Sequence, residues 1–362
     1  MFSHSRLTLA RLRRGMTKID LAKNAQVTTR TLSAYETGER EPTDSSLQAI
    51  ADALNFPTSF FHLNDLEPIG RDAASFRALS KMTASQSGAA RSAGALCIEL
   101  NRWISERFDL PGSDIPSIDS SIRDPEAAAM MVRSRWGLGV APAPNLVHLL
   151  ESHGVRIFSL AEECREVNAF SFWDNGIPFI CLNTVTTAEH GRFDAAHELG
   201  HLVMHRGHAA VRGRDEETDA NLFASAFLMP ADEVKAHAPQ RMSWSDLLEI
   251  KDYWNVSAAA LNYRLGKTLG HTTEWNYRDM CIAISRYGRH HEPNPGPREQ
   301  SQLLSKVFAD LKEEKITHRD VAHDLCIPID DLNALIFGLV LTSVVGGSEI
   351  SSQAKPKLRL VT

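Results

Sequence analysis

The stretch His197-Glu198-Leu199-Gly200-His201 decides how the middle of this chain folds and which chemistry it could support. Residues four apart share one face of a helix, so both histidines of this H-E-x-x-H pattern can reach a single metal ion. Glu198 stands beside them, where it could take a proton from a water bound to that ion. The same five residues also occur by chance in structural helices. A zinc-binding helix and a purely structural one are therefore both open at this point.

A catalytic zinc site needs a third protein ligand and one open position. His205 continues the row of histidines, but a rise of about 1.5 Å per residue puts it about 12 Å from His197 along the helix axis. Bonds of about 2 Å to one ion cannot bridge that distance. The third ligand must therefore come from another segment of the chain.

Residues 215–230 predict a second helix, because acidic residues occupy its first turn and Pro230 marks its end. Its apolar side chains would pack into a core. Glu217 and Asn221 are then left one turn apart on another face. We predict that Glu217 is the third ligand and that Asn221 is a polar partner behind the ligands.

A longer pattern surrounds these residues. It comprises Arg192 to His201 with Phe193 and Ala196 before the zinc motif, then Glu217-x-x-Ala220-Asn221-x-Phe223-Ala224, then Leu228-Met229-Pro230. This pattern resembles the ImmA/IrrE metallopeptidase family. The resemblance implies that His197, His201 and Glu217 are ligands of Zn²⁺, and it implies that Glu198 is the general base. Asp219 stands where the family often has glutamate or glutamine, away from the ligand position.

The flanking sequence predicts a small α+β scaffold. Helices are expected from Asp124-Pro125 through residue 136 and over residues 145–152, with Gly154 closing the second. Strands are expected at residues 155–160, 169–173 and 179–182, with Asp174-Asn175-Gly176 turning the last two into a hairpin. We therefore expect a zincin-like domain with a small β-sheet over residues 122–280.

The N-terminus carries an independent signal. Thr17 caps a short predicted helix, residues 25–27 form a turn, and a second helix ends near Gly38, which matches a helix-turn-helix. The motifs Tyr35-Glu36-x-Gly38 and Glu41-Pro42 follow the same pattern. The stretch from Arg6 to Phe61 resembles Xre/Cro/C1-type DNA-binding domains. We expect a five-helix domain over residues 1–64.

The first 30 residues are basic although the whole chain is acidic. They hold seven basic side chains against one acidic one, a net charge of +6, whereas the full chain carries −6. We predict that this patch meets DNA phosphates and that side chains at the helix starts reach base edges. The predicted DNA contacts are Arg14, Lys18, Thr28, Thr29, Arg30 and Ser33. Ordinary solvated charges on a protein-interaction module are the alternative.

Residues 296–345 faintly repeat the N-terminus at an offset of 300, after a loop at residues 290–297. The recurring residues are Thr317, Asp320, Ala322, Leu332 and Gly338, which answer Thr17, Asp20, Ala22, Leu32 and Gly38. The repeat predicts a second helix-turn-helix shape, with coincidence as the alternative. Arg30 is replaced by Asp330, and acidic groups at that face would repel phosphate. We therefore expect a dimerisation or partner-binding module.

Length and composition allow two or three globular domains, since 362 residues are 43% hydrophobic and 23% charged. Five cysteines form no C-x-x-C pair, which suits a reducing cytoplasm. Cys164 or Cys181 could act as a redox or zinc-blocking thiol, but buried core cysteines are the stronger expectation. No signal peptide is visible, and the apolar run at residues 334–345 is shorter than the about 20 residues that a bilayer requires.

We therefore expect a soluble, cytoplasmic, multidomain and mainly α chain, with residues 65–121 as a helical linker. Its predicted function is a DNA-binding transcriptional regulator with a zinc-dependent endopeptidase domain. The ImmA/IrrE resemblance implies cleavage of a transcriptional repressor in a stress, DNA-damage or mobile-element response. The expected partners are double-stranded DNA and that protein substrate, with a homodimer left open and no membrane. The alternative is a transcription factor whose peptidase fold is a non-catalytic sensor.

Overall fold

The structure is a computed structural model, which describes residues 2–70, 83–117, 124–160, 168–206, 214–288 and 291–340. It divides into two compact units. The first comprises Met1–Leu110, Phe158–Val167 and Gln302–Thr362, and the second comprises Pro111–Ile157 and Asn168–Ser301. The described chain is mainly helical with one three-stranded sheet, as predicted. Among the described helices, none combines the length and the apolar character needed to cross a bilayer.

The N-terminal domain contains the five predicted helices. They are α1 (His4–Arg13), α2 (Lys18–Asn24), α3 (Thr29–Glu36), α4 (Asp44–Leu54) and a 3-10 helix (Thr58–His62). Thr17 caps α2 in a capping box with Asp20, and Thr28 caps α3, so both helices begin where their caps predict. A buried ion pair between Arg11 and Glu36 ties α1 to α3.

The region predicted as a linker contains a long helix, α5 (Ala84–Ser105), which packs against α1. A Cβ on Gly88 would lie 3.0 Å from the Leu12 side chain, so glycine allows the two helices to approach closely. Arg6 of α1 also pairs with Glu99 of α5 at 2.8 Å. The helix is therefore part of the same unit as the helix-turn-helix domain rather than a free spacer.

The first unit also holds a second helix-turn-helix shape near the C-terminus. Its helices are α14 (Gln302–Glu313), α15 (His318–Asp324) and α16 (Ile329–Ile336). The bounds of α15 and α16 are those of α2 and α3 shifted by 300. Cys326 in the turn has φ 53° where Gln26 has φ 55°. The three helices therefore have the arrangement of a helix-turn-helix; residues 341–345 of the predicted module lie outside the described residues.

This C-terminal module is fixed to the DNA-binding domain by its last helix. The carboxylate of Asp331 on α16 is 1% exposed and lies 2.8 Å from Arg13 Nε and 2.7 Å from Arg14 Nη2. Trp103 of α5 adds a hydrogen bond of 3.1 Å from its Nε1 to Asp324. One side of the helix that corresponds to a DNA-reading helix is therefore packed against the N-terminal domain.

The three-stranded sheet has the strand order β1-β3-β2, in which β1 is Arg156–Ser159, β2 is Ala169–Asp174 and β3 is Ile177–Leu182; β2 and β3 belong to the second unit. Strands β2 and β3 are antiparallel. Asn175 and Gly176 join them with φ of 46° and 80°, and a type I′ hairpin turn requires positive φ at both residues. Cys181 is buried in β3, as expected of a core cysteine, whereas Cys164 lies outside the described residues.

Helices make up the rest of this unit. They are α6 (Pro125–Arg135), α7 (Leu146–Ser152), α8 (Ala188–Met204), α9 (Arg214–Leu228), α10 (Ala231–His237), α11 (Trp244–Trp254), α12 (Ala258–Tyr263) with a π-helical turn (Arg264–Thr268), and α13 (Glu274–Ser285). Helix α8 packs on β2 and on α9. A Cβ on Gly200 would lie 3.1 Å from the Phe223 ring and 3.3 Å from Ala220 Cα, so this glycine sets how closely α9 approaches α8.

The segment at residues 291–301, which includes the described part of the predicted loop, is bound to the second unit. Glu299 accepts hydrogen bonds of 2.9 and 3.3 Å from two backbone N–H groups at the start of α7, and it pairs with Arg192 of α8. The Gly296 N–H donates to Glu189 at 2.7 Å. The unit therefore extends past the predicted domain end at residue 280.

Asp331→Asn is expected to loosen the C-terminal module, because Arg13, with 2% of its side chain exposed, loses its carboxylate partner. Removing one partner of a buried ion pair costs about 3–5 kcal/mol. Hydrogen exchange of the α16 amides should accelerate. Asp330→Asn changes the exposed neighbour and is the control, with an expected effect within about 0.5 kcal/mol. Equal exchange rates in the two variants would contradict the buried ion pair.

Gly200→Ala is expected to lower the thermal unfolding midpoint, because its Cβ pushes α8 and α9 apart. Overpacking costs about 1–3 kcal/mol, which exceeds the about 1 kcal/mol that a helix gains when alanine replaces glycine. Gly191→Ala on the same helix is the control, since its Cβ meets only Thr186 Oγ1 at 3.7 Å. That variant should be neutral or stabilised. If circular dichroism shows a higher unfolding midpoint for both variants, α9 can accommodate a Cβ at position 200 without overpacking.

Candidate metal centre and DNA interface

Helices α8 and α9 bring three potential metal ligands together: His197, His201 and Glu217, whose ligand atoms all lie within 4.8 Å of one another. The two histidine Nε2 atoms are 3.1 Å apart, and they lie 3.6 and 3.4 Å from the Glu217 carboxylate. A tetrahedral ion with bonds of about 2 Å separates its ligand atoms by roughly 3.3 Å. Two imidazoles and one carboxylate at these separations fit a zinc ion with a fourth position left open.

Each imidazole has a polar partner on its other nitrogen. Asn221 Oδ1 lies 3.1 Å from Nδ1 of His197, and Nδ1 of His205 lies 2.9 Å from Nδ1 of His201. Such partners fix the orientation of the rings and the nitrogen that faces the metal. Asn221 thus lies behind His197, and His205 lies behind His201, outside the group of three potential ligands.

Burial and the nearby charges shift the pKa values of Glu217 and His197 in opposite directions. Burial alone would raise the pKa of Glu217, but hydrogen bonds and the charges of His197 and His201 hold it well below its usual range. Burial alone would lower the pKa of His197, but the bond to Glu217 and the nearby carboxylates raise it. Glu217 is therefore ionised at neutral pH, which is the form that binds a metal.

Glu198 lies next to the cluster but belongs to a different set of contacts. It is 2% exposed, and Ser171 Oγ donates a 2.6 Å hydrogen bond to its Oε2. Side chains alternate along a strand, so Ser171 points to the opposite side of β2 from Phe170 and Phe172. In the sequence, a lone serine between two phenylalanines indicates a polar contact on one side of the strand, but Ser171 was not among the predicted site residues. The bond holds the buried carboxylate in one orientation.

Asp194 is a second residue that the sequence analysis missed. It lies one turn before Glu198 on α8, and His190 Nε2 is 3.4 Å from its carboxylate. Burial raises the pKa of Asp194 to about 7; the charge of His197 opposes this rise and the charge of Glu198 adds to it. A carboxyl group with this pKa is about half protonated at neutral pH. The sequence shows only an acidic residue within a helix, and its burial depends on the packing around it.

Five of the predicted DNA contacts lie on α2 and α3 or at the N-cap of α3. Thr28, Thr29 and Arg30 are exposed, and Ser33 is half-buried one turn further along α3. Lys18, the first residue of α2, pairs with Glu36 at 3.1 Å and keeps 40% of its side chain exposed. These five side chains are therefore at least partly exposed to solvent.

Arg14, the sixth predicted contact, lies elsewhere. Its guanidinium donates to the backbone carbonyls of Leu54 and Asn55 at 2.7 and 3.3 Å, and it lies 4.6 Å from the centre of the Phe56 ring. With the Asp331 ion pair added, only 19% of the side chain remains exposed. The prediction that Arg14 meets phosphate does not match this placement, because a distant part of the chain supplies its counter-charge.

Two family models match the chain. One, from a peptidase family and described as an IrrE N-terminal-like domain, matches residues 150–266, which include the sheet and the metal cluster. The other is described as a helix-turn-helix and matches residues 7–61. A search of curated proteins finds no match. The chain therefore joins an N-terminal helix-turn-helix DNA-binding domain to a domain of the ImmA/IrrE peptidase type.

Proposed function

We propose that the protein is a DNA-binding transcriptional regulator and zinc-dependent endopeptidase, which cleaves a repressor protein in a stress, DNA-damage or mobile-element response. The observation that carries the proposal is the convergence of His197, His201 and Glu217 on one ion-sized space beside the buried Glu198. The ImmA/IrrE resemblance supports the substrate class. The helix-turn-helix domain would bring the peptidase to promoters where repressors are bound.

His197 and His201 would hold zinc through Nε2, and Glu217 would hold it through a carboxylate oxygen. When bound in such a site, zinc polarises a substrate carbonyl and lowers the pKa of water to about 7. Asn221 and His205 would keep the two imidazoles oriented, through the contacts at their Nδ1 atoms. These residues would thus supply three ligands for zinc and the groups that orient two of them.

Glu198 would act as the general base and then as the general acid. Its carboxylate accepts a proton from the attacking water as the new C–O bond forms, and it returns that proton to the amine nitrogen as the peptide C–N bond breaks. Ser171 has a positioning role, since its hydrogen bond restricts the orientation of the Glu198 carboxylate. A buried, oriented carboxylate is suited to this transfer because less reorganisation is needed at the moment of reaction.

Glu217→Ala and Glu198→Gln are expected to separate metal binding from cleavage. Wild-type protein should carry about one zinc per chain by elemental analysis, because the cluster offers the three protein ligands of a catalytic site. Glu217→Ala should lose most of that zinc. Glu198→Gln should keep both zinc and fold while abolishing proteolysis, so each variant is a control for the other.

The substrate can be sought by comparing the proteomes of cells that express wild-type protein or Glu198→Gln. Repressors that are depleted only by the wild type are then incubated with each purified protein. Full zinc occupancy in Glu217→Ala would show that the third ligand is another residue. Undiminished cleavage by Glu198→Gln would overturn the catalytic assignment. A zinc-loaded wild type that cleaves none of them would favour a non-catalytic sensor.

Arg30→Ala is expected to weaken binding to a selected operator by about 1–3 kcal/mol while changing binding to random duplex much less, if Arg30 reads a base. The operator is first selected from a random duplex library, and affinities are measured by fluorescence anisotropy at several salt concentrations. Arg14→Ala is the control, because Arg14 is occupied by intramolecular contacts and should leave the salt dependence unchanged. If Arg30→Ala loses the same affinity for the operator and for random duplex, Arg30 contacts phosphate and does not read a base.

A further inference from the structure

Of the two helix-turn-helix shapes in the described residues, the N-terminal one carries the predicted DNA contacts. In the C-terminal one, Asp331 on the last helix is buried against Arg13 and Arg14. This residue occupies the position that Thr31 holds in α3. Helix-turn-helix proteins read two half-sites with two recognition helices, one from each subunit of a dimer. A second copy of the chain would supply a second recognition helix.

The second unit carries an exposed stripe along α13 that could hold two copies together. Trp275 and Ile282 are 66% and 57% exposed. Asp279 and Arg286 continue the same face, since the four residues follow one another at spacings of four, three and four. A groove of about 440 Å³ runs beside this stripe and is also lined by Trp244. Single exposed apolar residues are common on protein surfaces, but Trp275 and Ile282 share one face of α13 beside a groove, which indicates a binding surface.

The charges on the stripe identify its occupant. Asp279 and Arg286 lie two helical turns apart on either side of Ile282, and neither makes an ion pair with any residue that the structure describes. When two α13 helices are antiparallel and related by a twofold axis near Ile282, Asp279 of each copy faces Arg286 of the other. A uniformly acidic or basic partner would match one end of the stripe and be repelled at the other. The stripe therefore complements itself.

We propose that two copies of this chain form a homodimer through the α13 stripe, which consists of Trp275, Asp279, Ile282 and Arg286. Ile282 lies at the twofold axis, the two Asp279–Arg286 pairs flank it, and Trp275 contributes apolar area. The dimer supplies two α3 helices for the two half-sites of an operator. This interface makes no use of the metal cluster, so Glu198→Gln should dimerise like the wild type, whatever its proteolytic activity.

The first test measures the mass of the full chain by sedimentation equilibrium over a range of concentrations. The wild type is expected to dimerise, and Ile282→Glu should raise the dissociation constant at least about tenfold. Val185→Glu is the matched control, because Val185 is 51% exposed in the same unit and lies outside the stripe. Circular dichroism verifies that each variant is folded. A monomeric wild type, or an Ile282→Glu variant that dimerises like the wild type, would overturn the proposal.

A charge exchange tests the geometry of the interface. Asp279→Arg and Arg286→Asp should each weaken the dimer, because each places like charges opposite one another. The double variant should recover the dimer, since the two pairs form again with reversed polarity. Single variants that dimerise normally, or a double variant weaker than both, would contradict the antiparallel pairing. Variants that stay monomeric should bind a single half-site like the wild type and lose affinity for a duplex with two half-sites.

Discussion

The close packing of α8 against α9 is the constraint on which the candidate metal centre depends. Glu217 is supplied by α9, and both imidazoles are supplied by α8, so the distance between the two helices determines whether three donors can meet. Gly200 lies inside the motif that carries the histidines and leaves space for Phe223. One short sequence therefore specifies both the ligands and the packing that brings the third ligand to them.

Features set by neighbours in sequence could be predicted, and features set by distant residues could not. The cap of α2, the Asn175-Gly176 turn and the Glu217–Asn221 spacing all follow from local rules, and the structure contains them. The contact of Ser171 with Glu198 depends on how a strand packs against a helix. The placement of Arg14 depends on a carboxylate 317 residues further along the chain. No local sequence pattern indicates the Ser171–Glu198 contact or the Arg14–Asp331 contact.

The two helix-turn-helix shapes show how one backbone can serve different chemistry. Arg11 and Glu36 form a buried ion pair in the N-terminal copy, whereas Leu311 and Ile336 occupy the corresponding buried positions in the C-terminal copy. Apolar packing replaces a paired charge at the same place, an exchange that buried sites tolerate well when both partners change together. Both copies have the same backbone arrangement. In the C-terminal copy, however, the last helix contacts the N-terminal copy through Asp331.

The segment at residues 291–301 decides where a free-standing peptidase fragment can end. Arg192 on α8, the helix that carries His197 and His201, has 1% of its side chain exposed, and Glu299 supplies its counter-charge. A fragment cut at residue 280 would keep the whole motif and lose this carboxylate, leaving an enclosed cation uncompensated at a cost of about 3–5 kcal/mol. Whether the domain can fold by itself thus depends on the Arg192–Glu299 ion pair. Its shortest stable fragment therefore extends past the sequence motifs to include Glu299.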